Sequence, residues 1–280
     1  MEIVGFSDGL NKVEARKNTY KKLKLECLVV LGGSRSQKTA NLLREEGLNV
    51  VSLPKTIDND LWGTDAAFGF QSAVSAAANA IDCIHTTAAS HGRVFIVEVM
   101  GHKAGWLTLY AGIAAGADII LLPEIPYDLD VVLTALKEKT KNGRKFSVLA
   151  VAEGAISKED ASLTKNELKE KRSGAAYPSA AYEIGAQITK RTGQEVRITV
   201  PGHMQWGGDP CPYDRILSTR LGAEAAKLIQ NKEYGYMVAV KRDEITKVPL
   251  AEVAGRLKTV DPKSPVIEET KMIGISFGDE

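Results

Sequence analysis

Hydroxyl and carboxylate side chains alternate in a short polar segment, residues 54–60, which reads Pro-Lys-Thr-Ile-Asp-Asn-Asp. The segment follows a mostly apolar run, residues 49–53, that has the pattern of a buried strand. If the backbone stays extended, the side chains of Thr56, Asp58 and Asp60 project to the same side. Clustered carboxylates can take a proton from a hydroxyl group and can hold Mg²⁺ beside phosphate. A surface turn is the alternative interpretation, because Asp and Asn are common turn residues.

Apolar segments with the length of strands alternate with helical patterns through most of the chain, which predicts a parallel sheet with helices on both faces. We expect strands at residues 27–31, 49–53, 94–99, 118–122, 146–152 and 196–200, with a further pair at 236–241 and 244–247. We expect helices at residues 13–23, 36–46, 68–86, 106–115, 131–141, 180–192 and 213–230. Residues 157–173 are expected to be a solvated helix or a mobile insertion, and residues 201–212 a loop. Segment 54–60 then lies at the carboxyl end of a strand, where open α/β sheets bind ligands.

Composition narrows the class of protein. The 280 residues are 44% hydrophobic and 25% charged, as in soluble globular proteins. A net charge of +1 gives no indication of nucleic acid or an anionic membrane as a partner. Cys27, Cys83 and Cys211 fit neither a disulfide framework nor a metal-ligand spacing, so we expect a cytoplasmic protein. No apolar run approaches the ~20 residues that span a bilayer, and the first residues lack a signal-peptide pattern.

Several motifs, in order along the chain, resemble the 6-phosphofructokinase family. They are PKTIDNDLWGTDAAFGF, AIDCIHTTAASHGRVFIVEVMGHKAGWLTLYAGIAAGAD, LLPEIPYD, VAEGA, ITVPGHMQWGGDPCPYDRILSTRLG and the carboxyl-terminal GISFGD. The resemblance covers the chain from about Cys27 onward. It implies an α/β fold with two interleaved lobes of parallel sheets flanked by helices. The expected lobes are a phosphoryl-donor lobe, residues 1–69 plus about 205–255, and a sugar-phosphate lobe, residues 70–204 plus 256–280.

The same resemblance implies a glycolytic phosphotransferase that phosphorylates the 1-hydroxyl of fructose 6-phosphate, with Mg²⁺ and either ATP or pyrophosphate as donor. Asp58 would take the proton from that hydroxyl. Asp60 would assist at the reacting centre or hold the metal, and Thr56 would line the site. This fits phosphoryl transfer in general, which depends on positioning and charge stabilisation.

The donor and the sugar phosphate would each have their own binding residues. Gly32, Gly33 and Lys55 would contact the donor. By resemblance, the sugar phosphate would be held by Met100, Gly101, Glu153, His203, Arg93 and Arg197, with the two arginines reaching across from a neighbouring subunit. This implies a homo-oligomer, a dimer or tetramer, or assembly with a complete paralogue. Structural interpretations stay open: a strand-end charge for Arg93, a surface charge for Arg197, an exposed acid for Glu153 and a backbone-bonded loop histidine for His203.

The chain departs from the family pattern at three positions where charge matters. Ser34 stands where the family's donor loop, Gly-Gly-Asp, has its acid. His102 and Trp206 stand where the family has arginine. A hydrogen bond to a charged group is worth roughly 1.5–3 kcal/mol, so we expect the loss of the two arginines to weaken ligand binding by about a hundredfold or more. Serine at position 34 cannot replace the charge of the acid. We expect Trp206 to fill a gap in the core rather than to stack on a ligand.

Residues 1–24 do not resemble the family's opening segment, which carries a glycine-rich loop, Gly-Gly-Asp-x-Pro-Gly, for the donor phosphates. We therefore expect a chain truncated at its N-terminus, with an incomplete donor site and an exposed sheet edge. The alternative function is a non-catalytic subunit that binds a sugar phosphate or regulates a complete paralogue.

Overall fold

The structure is a computed structural model that describes residues 12–174 and 176–280. The expectations for residues 1–11, that they carry no signal peptide and no donor loop, lie outside the described residues. Helices are α1 Lys12–Lys22, α2 Ser34–Glu45, α3 Phe70–His91, α4 Trp106–Ala114, α5 Leu129–Lys141, α6 Lys158–Ala161, α7 Lys165–Ser173, α8 Ala180–Thr192, α9 Pro212–Gln230, α10 Leu250–Val253 and α11 Pro265–Met272. Strands are β1 Leu28–Gly32, β2 Val50–Pro54, β3 Val94–Val99, β4 Ile119–Leu121, β5 Ser147–Ala152, β6 Val196–Thr199, β7 Tyr236–Lys241 and β8 Glu244–Pro249.

The described residues form two compact units, each with its own sheet. The first unit contains residues 12–55, 61–66 and 217–256. Its sheet has the order β1-β2-β7-β8, with β1, β2 and β7 parallel and β8 antiparallel at one edge. Among the described strands β1 lies at the other edge, and Val29 and Leu31 on it are exposed. Its core contains Ala40, Leu43, Leu48, Val50, Leu61, Met237, Ala239, Leu250 and Val253.

The second unit contains residues 56–60, 67–216 and 257–280. Its sheet has the order β4-β5-β3-β6, and all its pairs are parallel. Alternate residues of β3 enter two different hydrophobic clusters: Phe95, Val97 and Val99 pack in one, Val94 and Ile96 in the other. Both faces of the strand are therefore covered, which explains why it reads as a continuous apolar run.

The two sheets confirm the α/β class with parallel strands, while the predicted lobes stay a prediction, and the contact-based units differ from them in two segments. Residues 56–60 and 205–216 group with the second unit, because Asp60 O accepts from Lys258 N at 2.8 Å and Ser72 N donates to Asp214 at 2.8 Å. Helix α3 runs to His91, five residues beyond the prediction, and ends where Gly92 adopts a φ of 64°.

The solvated helix expected at residues 157–173 is present as two short helices, and the loop expected at residues 201–212 contains one. Residues 157–173 form α6 and α7, separated by a turn, and residues 202–206 form a 3₁₀ helix. Within the described chain, no helix is both long and apolar enough to cross a membrane.

Candidate active site

The segment that follows β2 turns instead of continuing as a strand. Asn59 has a φ of 52°, and its side-chain oxygen accepts from Ala67 N at 3.0 Å. This left-handed residue ends the alternation that the sequence predicts, so Asp60 is buried while Asp58 is half-buried. The prediction that Thr56, Asp58 and Asp60 share one side of an extended strand was therefore wrong. A short turn brings them together instead, with Asp58 N donating to Thr56 Oγ1 at 3.1 Å.

The carboxyl group of Asp58 lies in a negatively charged and partly dry environment. Burial, followed by the charges of Asp60 and Glu153, raises its pKa from 3.8 to about 6, while a hydrogen bond with the Thr56 side chain lowers it. Burial disfavours the charged form, and nearby like charges do the same. A carboxylate with a pKa this close to neutrality can accept a proton from a substrate hydroxyl. The structure thus brings four of the predicted site residues together.

Glu153 follows β5 and is held against the loop that follows β3. Its backbone N donates to Val99 O at 2.9 Å, and its Oε1 accepts from His102 N at 2.7 Å. Gly101 has a φ of 142°, and a Cβ there would lie 2.6 Å from Ala104 O. Only glycine fits this positive φ and this close contact with the Ala104 carbonyl oxygen. Gly101 therefore determines the shape of the loop that contains Met100 and His102.

The 3₁₀ helix Gly202–Trp206 is joined to the same loop by a buried glutamine. Gln205 Oε1 accepts from Met100 N at 3.2 Å, and its side-chain nitrogen donates to Gly202 O at 3.1 Å. This link places His203 on the turn beside the Met100 loop. The rings of Trp206 and His203 form a T-shaped contact with ring centres 5.1 Å apart. Trp206 is 62% exposed, so the prediction that it fills a gap in the core was wrong.

Arg93 and Arg197 are not part of this group. Both pair with Glu195, and Arg93 immediately precedes β3. Met100 follows the other end of that strand, so Arg93 lies roughly 20 Å away along β3 at about 3.3 Å per residue. Their predicted contribution to a neighbouring subunit's site stays a prediction.

The predicted donor residues lie at the carboxyl ends of β1 and β2 in the first unit. Gly32 begins a turn so tight that a Cβ on it would lie 2.3 Å from Ser36 Oγ. Gly33 is the N-cap residue of α2 and Ser34 is the helix's first residue. Lys55 is exposed, and its backbone N donates to Gly32 O at 3.3 Å.

Among the described residues, no group of three or more His, Cys, Asp and Glu side chains is arranged to hold a metal ion. The carboxylates of Asp58 and Asp60 and the hydroxyl of Thr56 are oxygen donors, the kind that Mg²⁺ prefers. Mg²⁺ usually needs only one or two protein carboxylates when substrate phosphates and water complete its coordination. The residues present therefore fit that ion.

Sequence reasoning missed several residues that support the site. Gln205 lies in the quoted motif ITVPGHMQWGGDPCPYDRILSTRLG, and its lack of charge hid its role. Glu124, in LLPEIPYD, accepts from Gly105 N and Val260 N, each at 2.9 Å. The backbone of Lys258 supports Asp60, and no local pattern marks that contact because the two residues are far apart in the chain.

Comparisons with known proteins agree with one another. The phosphofructokinase family model matches residues 6–229. The ATP-dependent 6-phosphofructokinase of Spirochaeta thermophila is 53% identical over 271 residues, which cover 97% of this chain and 74% of that protein. The pyrophosphate–fructose 6-phosphate 1-phosphotransferase of Streptomyces coelicolor is 40% identical over 272 residues, 97% of this chain and 77% of that protein.

A solved structure has the same fold. The crystal structure of the pyrophosphate-dependent phosphofructokinase of Nitrosospira multiformis superposes with a TM-score of 0.79 and covers 96% of this chain and 72% of that one. At 20% identity, this likeness shows the fold alone.

Proposed function

Because this chain belongs to the phosphofructokinase family, we propose that it transfers a phosphoryl group from ATP or pyrophosphate to fructose 6-phosphate. The product is fructose 1,6-bisphosphate, and the reaction belongs to glycolysis. The observation that carries the proposal is Asp58, a half-buried carboxyl group whose pKa is raised to about 6 beside Asp60 and Glu153.

In the proposed reaction Asp58 accepts the proton of the sugar's 1-hydroxyl while that oxygen forms a bond to the transferred phosphorus. The bond between this phosphorus and the donor's bridging oxygen breaks, and ADP or phosphate leaves. Thr56 orients Asp58 through its side-chain hydrogen bond. A general base of this kind contributes roughly 10²–10⁴-fold to the rate.

Asp60 is proposed to hold Mg²⁺ at the reacting centre. The ion, when bound, would neutralise charge on the donor phosphates. A cation beside Asp60 would also relieve the repulsion that raises the pKa of Asp58 and would favour its ionised, proton-accepting form.

The sugar phosphate is proposed to lie against Met100, Gly101 and Glu153, with His203 directed at the 6-phosphate. Arg93 and Arg197 are proposed to serve the same phosphate from a neighbouring subunit. Their position at the amino end of β3, away from Glu153 of the same chain, supports this arrangement and hence a homo-oligomer. Guanidinium groups bind phosphate through charge-assisted, often bidentate hydrogen bonds. A cytoplasmic location is part of the proposal and is supported by the three unpaired cysteines.

A coupled assay for fructose 1,6-bisphosphate, run separately with ATP and with pyrophosphate in the presence of Mg²⁺, tests the proposal. We expect product with at least one donor, and loss of at least ~10²-fold of the rate in Asp58→Asn. Product formation that equals the background with both donors would refute the catalytic function. Equal rates for the parent and Asp58→Asn would show that another group is the base.

A second candidate is a non-catalytic subunit that binds a sugar phosphate. It is favoured by Ser34, which stands at the position of an acid in the family's donor loop, while Glu153 and His203 are retained. Calorimetry with fructose 6-phosphate tests this function in the absence of any donor. Binding without turnover would support it, whereas absence of binding, together with no co-purifying paralogue, would eliminate it.

A further inference from the structure

A fully buried pair of polar side chains links the carboxyl ends of β1 and β2. Ser52 Oγ donates to Gln37 Oε1 at 2.6 Å. The side-chain nitrogen of Gln37 donates to Gly32 O at 2.9 Å and to Leu53 O at 3.3 Å. Gln37 and Ser52 are both completely inaccessible to solvent, so these contacts are made away from water.

The network holds the backbone of the predicted donor residues. Gly32 O accepts from Lys55 N as well as from Gln37, and the backbone N of Gln37 donates to Gly33 O at 3.0 Å. A single residue therefore binds the carbonyl oxygens of both glycines in the turn. One of these oxygens also fixes the backbone of Lys55. The turn, the amino terminus of α2 and Lys55 are thus connected through Gln37.

The orientation of the Gln37 amide is determined by its partners. Gly32 O and Leu53 O can only accept, so the amide nitrogen must face them and the amide oxygen must face Ser52. A buried carbonyl group that loses its donor leaves a desolvated polar atom unpaired. A non-polar side chain at position 37 would therefore fit the space but would leave Leu53 O without this donor and Gly32 O with one donor fewer.

We propose that Gln37 is a positioning residue for the phosphoryl donor. It sets the position of the Gly32-Gly33 turn and the first turn of α2 relative to Lys55, so that they can meet the same phosphate group. This inference rests on the proposed function. Gln37 does not touch the donor, and it acts only through the carbonyl oxygens that it binds.

The test compares Gln37→Met, which keeps the length of the side chain, with Leu43→Ala. Leu43 is a core residue of the same helix, and its truncation loosens the packing of α2 without removing a hydrogen bond. Steady-state kinetics are measured with the donor and the sugar phosphate varied separately. Hydrogen exchange of the Lys55 amide is measured in both variants.

In Gln37→Met we expect the KM for the donor to rise about tenfold or more, because small misplacements of binding groups have effects of this order. The KM for fructose 6-phosphate should stay within about twofold of the parent. The Lys55 amide should exchange faster in Gln37→Met than in the parent and in Leu43→Ala, whereas the amides of β3 should exchange at the same rate in the parent and in Gln37→Met. Leu43→Ala should lower the thermal midpoint while leaving the KM for the donor unchanged.

Suppose that the parent is active and that Gln37→Met and Leu43→Ala have the same KM for the donor and the same exchange rate of the Lys55 amide. This result would overturn the positioning role of Gln37 without refuting the proposed function. An inactive parent would instead refute the proposed function, so the two failures are distinct. If Gln37→Met does not fold, Ser52→Ala tests the positioning role of Gln37 in its place. This substitution removes the donor to Gln37 Oε1 and leaves that buried oxygen unpaired, which weakens the hold of Gln37 on the turn. A raised KM for the donor in Ser52→Ala therefore supports the positioning role, and an unchanged one overturns it.

Discussion

Replacement of Asp58 by Asn is expected to stabilise the folded protein near neutral pH while it removes the proposed base. Asn has nearly the same shape as Asp but carries no charge. In the folded chain the charged form of Asp58 is disfavoured by burial and by the carboxylates of Asp60 and Glu153. In the unfolded chain these neighbours are dispersed and water solvates the carboxylate, so the penalty is absent.

The raised pKa of Asp58 gives the magnitude and the sign of the effect. The rise from 3.8 to about 6 is worth about 3 kcal/mol at 1.36 kcal/mol per unit. Solvent screening of this half-buried group reduces the figure to about 1–2 kcal/mol. Between these two pKa values the folded state binds more protons than the unfolded state, so the parent loses stability as the pH rises through this window. The loss is complete above the folded pKa, and the Asn variant does not undergo it.

The assay is urea unfolding of the parent and of Asp58→Asn at about pH 7.5 and about pH 4. We expect the variant to be more stable by about 1–2 kcal/mol at the higher pH and the difference to shrink at the lower pH. Asp209→Asn is the matched control, because Asp209 is fully exposed and its replacement should change little. An Asn variant that is no more stable at neutral pH, or a difference independent of pH, would show that Asp58 is not under this repulsion.

Three further outcomes follow from the site and its supports. The pH profile of kcat/KM should rise as Asp58 ionises, with an apparent pKa of about 6 without bound Mg²⁺ and a lower one when Mg²⁺ is bound beside Asp60. Glu153→Gln should shift this limb to lower pH and Thr56→Val to higher pH, and shifts in the same direction would contradict the assignment. Trp206→Arg, which adds a cation beside His203, should lower the KM for fructose 6-phosphate about tenfold, whereas Trp206→Leu should not lower it. Asp118→Ala removes a buried carboxylate that pairs with Arg144 and accepts from Val148 N at 3.0 Å. Denaturation should show that the free energy of unfolding falls by about 1.5–3 kcal/mol, and kinetics should show that the KM values for the donor and the sugar phosphate are unchanged.

The elements could be predicted from the sequence because their signals are local. Strands β3 and β5 are short apolar runs, and their burial on both faces is the reason for that composition. The motif around Asp58 could be found because its residue types and its place after a strand are both visible in the chain. The prediction of an extended segment failed at Asn59, whose positive φ is maintained by a hydrogen bond to Ala67.

Other features of the site depend on contacts between residues that are distant in sequence. Gln205 binds Met100, 105 residues away, and Asp214 binds Ser72, 142 residues away. No periodicity records such pairs. The exposure of Trp206 was mispredicted for a related reason, since a large apolar side chain has a strong average preference for burial and only the surrounding fold decides its environment.

Four acids of the second unit fall into two physical groups, and the difference separates structural from functional residues. Glu98 accepts from Ala181 N in the first turn of α8, Glu124 accepts from Gly105 N and Val260 N, and Asp214 accepts from Ser72 N in the first turn of α3. Their negative charges are satisfied by backbone donors, and each acid lies at a helix amino terminus, because Gly105 is the N-cap residue of α4. Carboxylates are favoured at such termini. Asp58 is instead placed against two other carboxylates, which no stability requirement explains. Removal of charge should therefore destabilise the protein at the first three positions and stabilise it at Asp58, and this opposite sign would identify the acid that is retained for chemistry.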